Sequence, residues 1–151
     1  MGKSRFVPSD FDIPLVFETE RFRLRMLSVD DVELDFEAVI ESRELLRAMF
    51  GRSWPRKGFT LKENLVDLER HQQEFLNRDA FAYTVISLDE SRVLGCVYIN
   101  PARKIGVDAE VYMWVRQSEY DQGLDAVLFQ AIKRWLSSSW PFASVAYTGR
   151  E

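Results

Sequence analysis

The sequence is poor in the residues that cross-link chains, bind metals or anchor them in membranes. Among 151 residues there is one cysteine, Cys96, and one histidine, His71. A lone cysteine forms no internal disulfide. Its position in the apolar run Val93 to Ile99 marks it as a small buried hydrophobe in a reducing compartment. No metal site is expected. Only 7 glycines and 5 prolines are present, far from a disordered or low-complexity profile. No run approaches the ~18 apolar residues of a membrane span, so no membrane partner is expected. Met1-Gly2-Lys3-Ser4-Arg5 is followed by neither the apolar core of a signal peptide nor the hydroxyl of a myristoylation motif. These absences together predict a cytoplasmic protein. Basic charge is not in excess either: 20 Lys and Arg stand against 24 Asp and Glu, a net charge of −4. The densest basic stretches are Arg21 to Arg25, which alternates with apolar residues, and Arg52 to Lys57. A nucleic-acid footprint needs clustered Lys and Arg, and no nucleic-acid partner is expected.

What is present is core material. Hydrophobic residues make up 46% and aromatic ones 13% of the chain, enough for one domain over residues 1–151 without staples. Residues 1–20, with Pro8 and Pro14, read as an extended lead-in. Phe22 to Leu27 alternates at period two, as a strand with one buried face does. Ser28, with Asp31 three residues on, opens a helix carrying Val29, Val32, Phe36, Val39 and Ile40, and a short helix carries Leu45, Leu46 and Met49. Thr60-Leu61-Lys62-Glu63 is a capping box for a helix with Leu61, Leu65, Leu68 and Phe75 inward; His71, Gln72 and Gln73 fall on its solvent side. Phe81–Leu88 and Val93–Ile99 form a hairpin, followed by a strand over Ala109–Val115. A helix with Leu124, Val127, Leu128, Ala131, Ile132 and Trp135 inward and a last strand, Phe142–Tyr147, complete the order β-α-α-α-β-β-β-α-β. A three-strand meander followed by a strand–helix–strand crossover implies an α/β fold: a mixed, mostly antiparallel sheet with helices on both faces.

The segment Ala109 to Leu128 carries the chemistry. An apolar strand ends in a glycine-bearing loop that opens an amphipathic helix, so free N–H groups and the positive end of the helix dipole converge where a phosphate can sit. Period two puts Glu110, Tyr112 and Trp114 on one face of the strand and Val111, Met113 and Val115 on the other. Among apolar neighbours, Glu110 is expected to be partly desolvated and its pKa raised.

This segment resembles the core motif of the GNAT acyl-CoA acetyltransferases. Glu18-Thr19-Glu20-Arg21-Phe22-Arg23-Leu24-Arg25 is similar to the opening of the branch that acetylates ribosomal-protein N-termini. The resemblance implies that the strand splays from its neighbour and that Met113, Trp114 and Val115 line the pantetheine arm of acetyl-CoA. The pyrophosphate loop, R/Q-x-x-G-x-G/A, maps onto Tyr120 to Asp125 and implies contacts from Gln122, Gly123, Leu124, Asp125 and Ala126. Gly123 matches the motif; Tyr120 replaces its Arg or Gln and Asp125 its Gly or Ala. A carboxylate ~4 Å from a diphosphate oxygen costs ~1 kcal/mol in water and ~4 at an effective dielectric of 20. Glu110 is implied as the base that takes a proton from the acceptor. The expected function is transfer of an acetyl group from acetyl-CoA to a primary amine, on a small molecule or a peptide. The alternative is a GNAT-like ligand-binding or assembly protein without acetyl-CoA chemistry. The chain stops where the family's fourth helix and seventh strand begin, so a C-terminally truncated version of the fold is expected. A homodimer is expected to cover the edge strand Ala143 to Tyr147 and an apolar patch of Trp135, Trp140 and Phe142.

Overall fold

The computed structural model describes residues 5–51 and 53–150. Met1 to Ser4, on which the absence of a leader was read, lie outside the described residues, as do Arg52 of the second basic stretch and Glu151. Six strands form one sheet in sequential order: β1 (Val16–Glu18), β2 (Arg23–Met26), β3 (Phe81–Ile86), β4 (Val93–Pro101), β5 (Ala109–Val115) and β6 (Val145–Tyr147). The first five pair antiparallel, and β6 runs parallel to β5. The mixed, mostly antiparallel sheet is the one expected, with one strand more. β1 lies in what reads as lead-in, because three residues are too few for an alternation to register; it is held by β2 through the pair Phe17 and Leu24. β2, β3 and β6 are shorter than their apolar runs.

The helices are α1 (Val32–Glu41), α2 (Arg43–Met49), α3 (Leu61–Leu76), α4 (Gln117–Tyr120) and α5 (Leu124–Ser139). Ser28 does not open α1 directly. Its hydroxyl accepts from the Asp30 amide at 3.1 Å and caps a 3-10 turn, Val29–Asp31, that precedes the helix. Thr60 behaves as the capping box predicts, with Oγ1 accepting from the Glu63 amide at 3.2 Å. α3 is rotated from its expected setting: Asn64, Leu68 and Phe75 are buried and Leu61 is exposed. That rotation corrects the reading of His71 as solvated. Three residues after Leu68, it falls beside the buried stripe, and its side chain is only 12% exposed. Val127, expected inward on α5, is exposed as well.

The two faces of the sheet carry separate cores. Val111, Met113 and Val115 of β5 pack with Leu124, Leu128, Ile132 and Trp135 of α5. Trp114, with Tyr112 against it, belongs to the other core, with Ala38 and Val39 of α1, Leu46 of α2 and Leu68 of α3. The β5 alternation is therefore as the sequence implies. Cys96 is buried in the second core, its thiol 3.6 Å from the carboxylate of Asp35. The lead-in closes the first core: Phe6 stacks on Phe142 at 5.3 Å, Phe11 meets Trp140 at 5.2 Å and Phe17 stacks on Trp135 at 4.6 Å. The aromatic patch on which the expected homodimer partly rested is thus covered within one chain. The edge position of β6 is the remaining ground for it.

Two contacts fix the end of β5. A Cβ on Gly95 would lie 2.0 Å from the Trp114 carbonyl oxygen, so only glycine permits this approach of β4 to β5. Next, Arg116 is buried and donates to Glu41 Oε1 at 2.6 and 3.1 Å, to Glu37 Oε1 at 3.1 Å and to the Val93 carbonyl at 3.0 Å. Glu41 Oε2 accepts from the amide and hydroxyl of Ser118 at 2.9 and 2.8 Å. This network ties α1 to the loop that leads into α5. Chiefly through Arg116, and against partial desolvation, Glu41 is held down to about 2 from an ordinary 4.5. Its contribution to stability is therefore complete above pH ~4.5 and lost as pH falls toward ~2. Chemical denaturation between pH 2 and 7 checks this: Glu41→Gln is expected to be less stable at pH 7 and to lose less on acidification than the wild type.

Candidate functional site

β5 and β6 stay together for three residues only. Ala109, Glu110 and Val111 pair with Val145, Ala146 and Tyr147. The Thr148 amide then donates to the Val111 carbonyl at 2.9 Å, and the chain turns away through Gly149 at φ 76°. Past that point β5 has no strand beside it on the β6 side, and a gap opens. Backbone polar groups alternate along a strand. The Arg116 amide donates to Leu94 on β4, whereas the Ala109 amide donates to Ser144 on the other side. Met113 and Val115 therefore turn their backbone groups into the gap. Trp114 does not. Its backbone faces β4 opposite Cys96, and its buried indole donates to the Tyr98 hydroxyl at 3.1 Å.

The helix that starts at the gap is α5. Gly123 precedes it in the left-handed region, φ 88°, and no side chain caps the helix. A residue with a Cβ would be strained there, so the glycine keeps the loop tight and the first amides of α5 uncovered. Of the predicted loop residues, Leu124 sends its side chain into the core and Gln122 and Ala126 are exposed, which leaves their backbone for any ligand. Asp125 is engaged. Arg150 donates to its Oδ2 at 2.6 Å and Oδ1 at 2.9 Å, and also to the Met113 carbonyl at 3.0 Å. This arginine bridges the gap, from the helix start on one side to the strand on the other. Sequence reasoning missed it because its partners are 25 and 37 residues away and no local spacing announces the pair.

A cavity of about 450 Å³ opens beside this bridge. Leu45, Met49 and Phe50 form one wall and Glu110 and Tyr112 the floor, while Tyr120, Asp125 and the turn from Thr148 to Arg150 close the helix end. Glu110, Tyr120 and Asp125 thus line one cavity. The electrostatics of Glu110 differ from the expectation. Arg103, in the turn after β4, donates to its Oε1 at 2.8 Å and Oε2 at 3.3 Å, and this guanidinium holds the carboxyl below its ordinary value. Neighbours along the strand are apolar, but the side chain leans toward the exposed end of β5, where charge pairing outweighs desolvation. Among the described residues, no group of three or more His, Cys, Asp or Glu is placed to hold a metal ion, and no helix is long and apolar enough to cross a membrane.

A gap between two parallel neighbours, leading to an uncapped helix start, suits an extended ligand with an anionic head. Solved structures share this architecture. The ribosomal-protein-S5-alanine acetyltransferase of Vibrio fischeri superposes with a TM-score of 0.63 at 18% identity, over 82% of this chain and 67% of its own. RimL, a ribosomal L7/L12 α-N-protein acetyltransferase solved with coenzyme A, gives 0.63 at 17% identity, over 82% and 66%. The microcin C7 self-immunity acetyltransferase MccE, solved with acetyl-CoA and AMP, gives 0.60 at 11% identity, over 81% and 66%. The chain has the GNAT acetyltransferase fold, and it spans about two thirds of the length of these neighbours. No protein-family model and no curated protein sequence matches it.

The Arg103–Glu110 pair sets one expectation. Arg103→Ala removes the main cause of the depressed carboxyl, so the Glu110 pKa should rise toward 4.5. A carboxyl-detected NMR titration reads this directly; an unchanged midpoint would mean that the pair does not persist in solution.

Proposed function

We propose that this chain moves an acetyl group from acetyl-CoA to a primary amine. The observation that carries the reading is the β5–β6 gap running into the uncapped start of α5. In this reading the backbone groups of Met113 and Val115 pair along the pantetheine arm, and the first amides of α5 after Gly123 face the diphosphate. Acetyl-CoA supplies the activated acyl group. The amine nitrogen forms a bond to the thioester carbonyl carbon, the carbon–sulfur bond breaks, and the thiolate leaves. Glu110 takes the amine proton, directly or through one water. It is ionised at neutral pH and can accept, although the pairing with Arg103 makes it a weaker base than a desolvated carboxylate. The proposed setting is a cytoplasmic homodimer acting on a small-molecule or peptide amine.

One observation favours a second reading. The Arg150 bridge occupies the Met113 carbonyl and lies across the gap, as in a GNAT-like protein that binds or assembles without acetyl-CoA chemistry. The Met113 carbonyl becomes available only if Arg150 moves. Because Arg150 neutralises Asp125, the carboxylate at the helix start is less hostile to a diphosphate than the sequence alone implies. Arg150 can then serve as the cation that Tyr120 does not provide.

Calorimetric titration with acetyl-CoA separates the readings. Asp125→Asn frees the guanidinium and is expected to tighten binding ~10-fold at low salt, an effect that shrinks as salt is added. Arg150→Gln leaves the carboxylate unpaired and is expected to weaken binding by a similar factor. Equal affinity in both variants would mean that the pair does not face the ligand. No binding in wild type or in Asp125→Asn would leave the assembly reading.

A further inference from the structure

A second cavity, of about 310 Å³, lies on the α1–α3 face of the sheet. It shares Phe50 and Tyr112 with the first cavity, so a molecule reaching into the gap from this face can extend into it. Its lining includes a continuous series of rings. Trp54 meets Phe50 edge-on at 5.8 Å, Phe50 meets Tyr112 edge-on at 5.8 Å, and Tyr112 stacks on Tyr98 at 4.7 Å. His71 continues the series, 5.1 Å from Tyr98.

The charges beside the rings are arranged on α3. Asp67 lines the cavity and pairs with Arg70 at 2.9 Å, while Glu74 stands 3.6 Å from both Arg70 and His71. Arg70, which also lines the cavity, is shared between the two carboxylates. Burial disfavours the charged form of Asp67, but His71 and Arg70 more than offset it and hold the carboxyl below its ordinary value. The cavity therefore keeps an ionised carboxylate beside aromatic surface. A ligand anion would be repelled by Asp67 and by the π-faces. A neutral apolar group would strip water from Asp67 with no return. An organic cation gains from both the carboxylate and the rings.

We propose that this cavity binds an alkylammonium group, the second cation of an acceptor whose first amine reaches the β5–β6 gap. The role as an acceptor subsite rests on the acetyl-transfer reading; the capacity to hold an ammonium does not. Adjacent strands are ~4.8 Å apart, so the two groups of such an acceptor are separated by roughly one to two strand spacings. A diamine, or a peptide amine next to a basic side chain, meets that description.

The test uses the whole chain and two probes of one shape, choline and the uncharged 3,3-dimethylbutan-1-ol. Binding is followed by the NMR shift of the Trp54 indole and, for the Trp54 variants, by calorimetry. Choline is expected to saturate in the millimolar range and to bind about five- to tenfold more tightly than the alcohol. Asp67→Asn and Trp54→Leu should each weaken choline about five- to tenfold, and Trp54→Phe, which keeps a ring, should largely retain it. Equal affinity for the two probes, no saturation by choline, or preferential binding of benzoate would overturn the proposal. Acetyl-CoA is titrated against the same samples. Choline bound without acetyl-CoA sinks only the acetyl-transfer reading, and the reverse result sinks only this cavity.

Discussion

Backbone amides and carbonyls removed from water need partners, and a strand that parts from its neighbour must find them elsewhere. β5 faces this constraint beyond Val111, where β6 turns off through Thr148 and Gly149. Arrangements on both sides depend on that divergence. On the β4 side, Gly95 lets the two strands close, and the Arg116 network anchors the end of β5 to α1. On the β6 side the strand edge is left to a side chain, Arg150, or to a ligand. The gap exists because one flank of β5 is over-determined and the other is released.

Charge decides what the gap can accept. The sequence places a carboxylate at the start of α5, where it favours the helix and opposes an anion. Folding adds a guanidinium that the sequence does not place there, and the local balance changes from −1 to neutral. Glu110 follows the same pattern, since its apolar neighbours matter less than Arg103 across the turn. In both cases an arginine outside the motif, seven residues from Glu110 and 25 from Asp125, resets a carboxylate within it.

Most of the sheet was legible. Period-two alternation located β2, apolar runs bounded by turns located β3 to β5, and the β5 alternation assigned Val111, Met113 and Val115 to one core and Tyr112 and Trp114 to the other. A capping box located α3, and a glycine loop followed by an amphipathic stripe located α5. Short or compensated features were not legible. β1 has three residues and no pattern of its own. Asp35 was hidden because an acidic residue on a helix reads as solvated, yet it is buried with its carboxyl pushed up to about 6, chiefly by desolvation, while Asn64 donates to it. The inward turn of His71 follows from a rotation of α3 that Asn64 disguises by occupying a core position. The motif pointed to Glu110, Tyr120, Gly123 and Asp125; Arg103 joins them through the β4–β5 turn, and Arg150 only through tertiary approach.

The account turns on whether the β5–β6 gap is where acetyl-CoA lies. Amide hydrogen exchange with and without acetyl-CoA tests that directly. The predicted result is slowed exchange confined to Met113, Val115 and the first turn of α5, with the Trp114 amide, already committed to β4, unchanged. Protection elsewhere, or none at these amides while the ligand is bound, would contradict it.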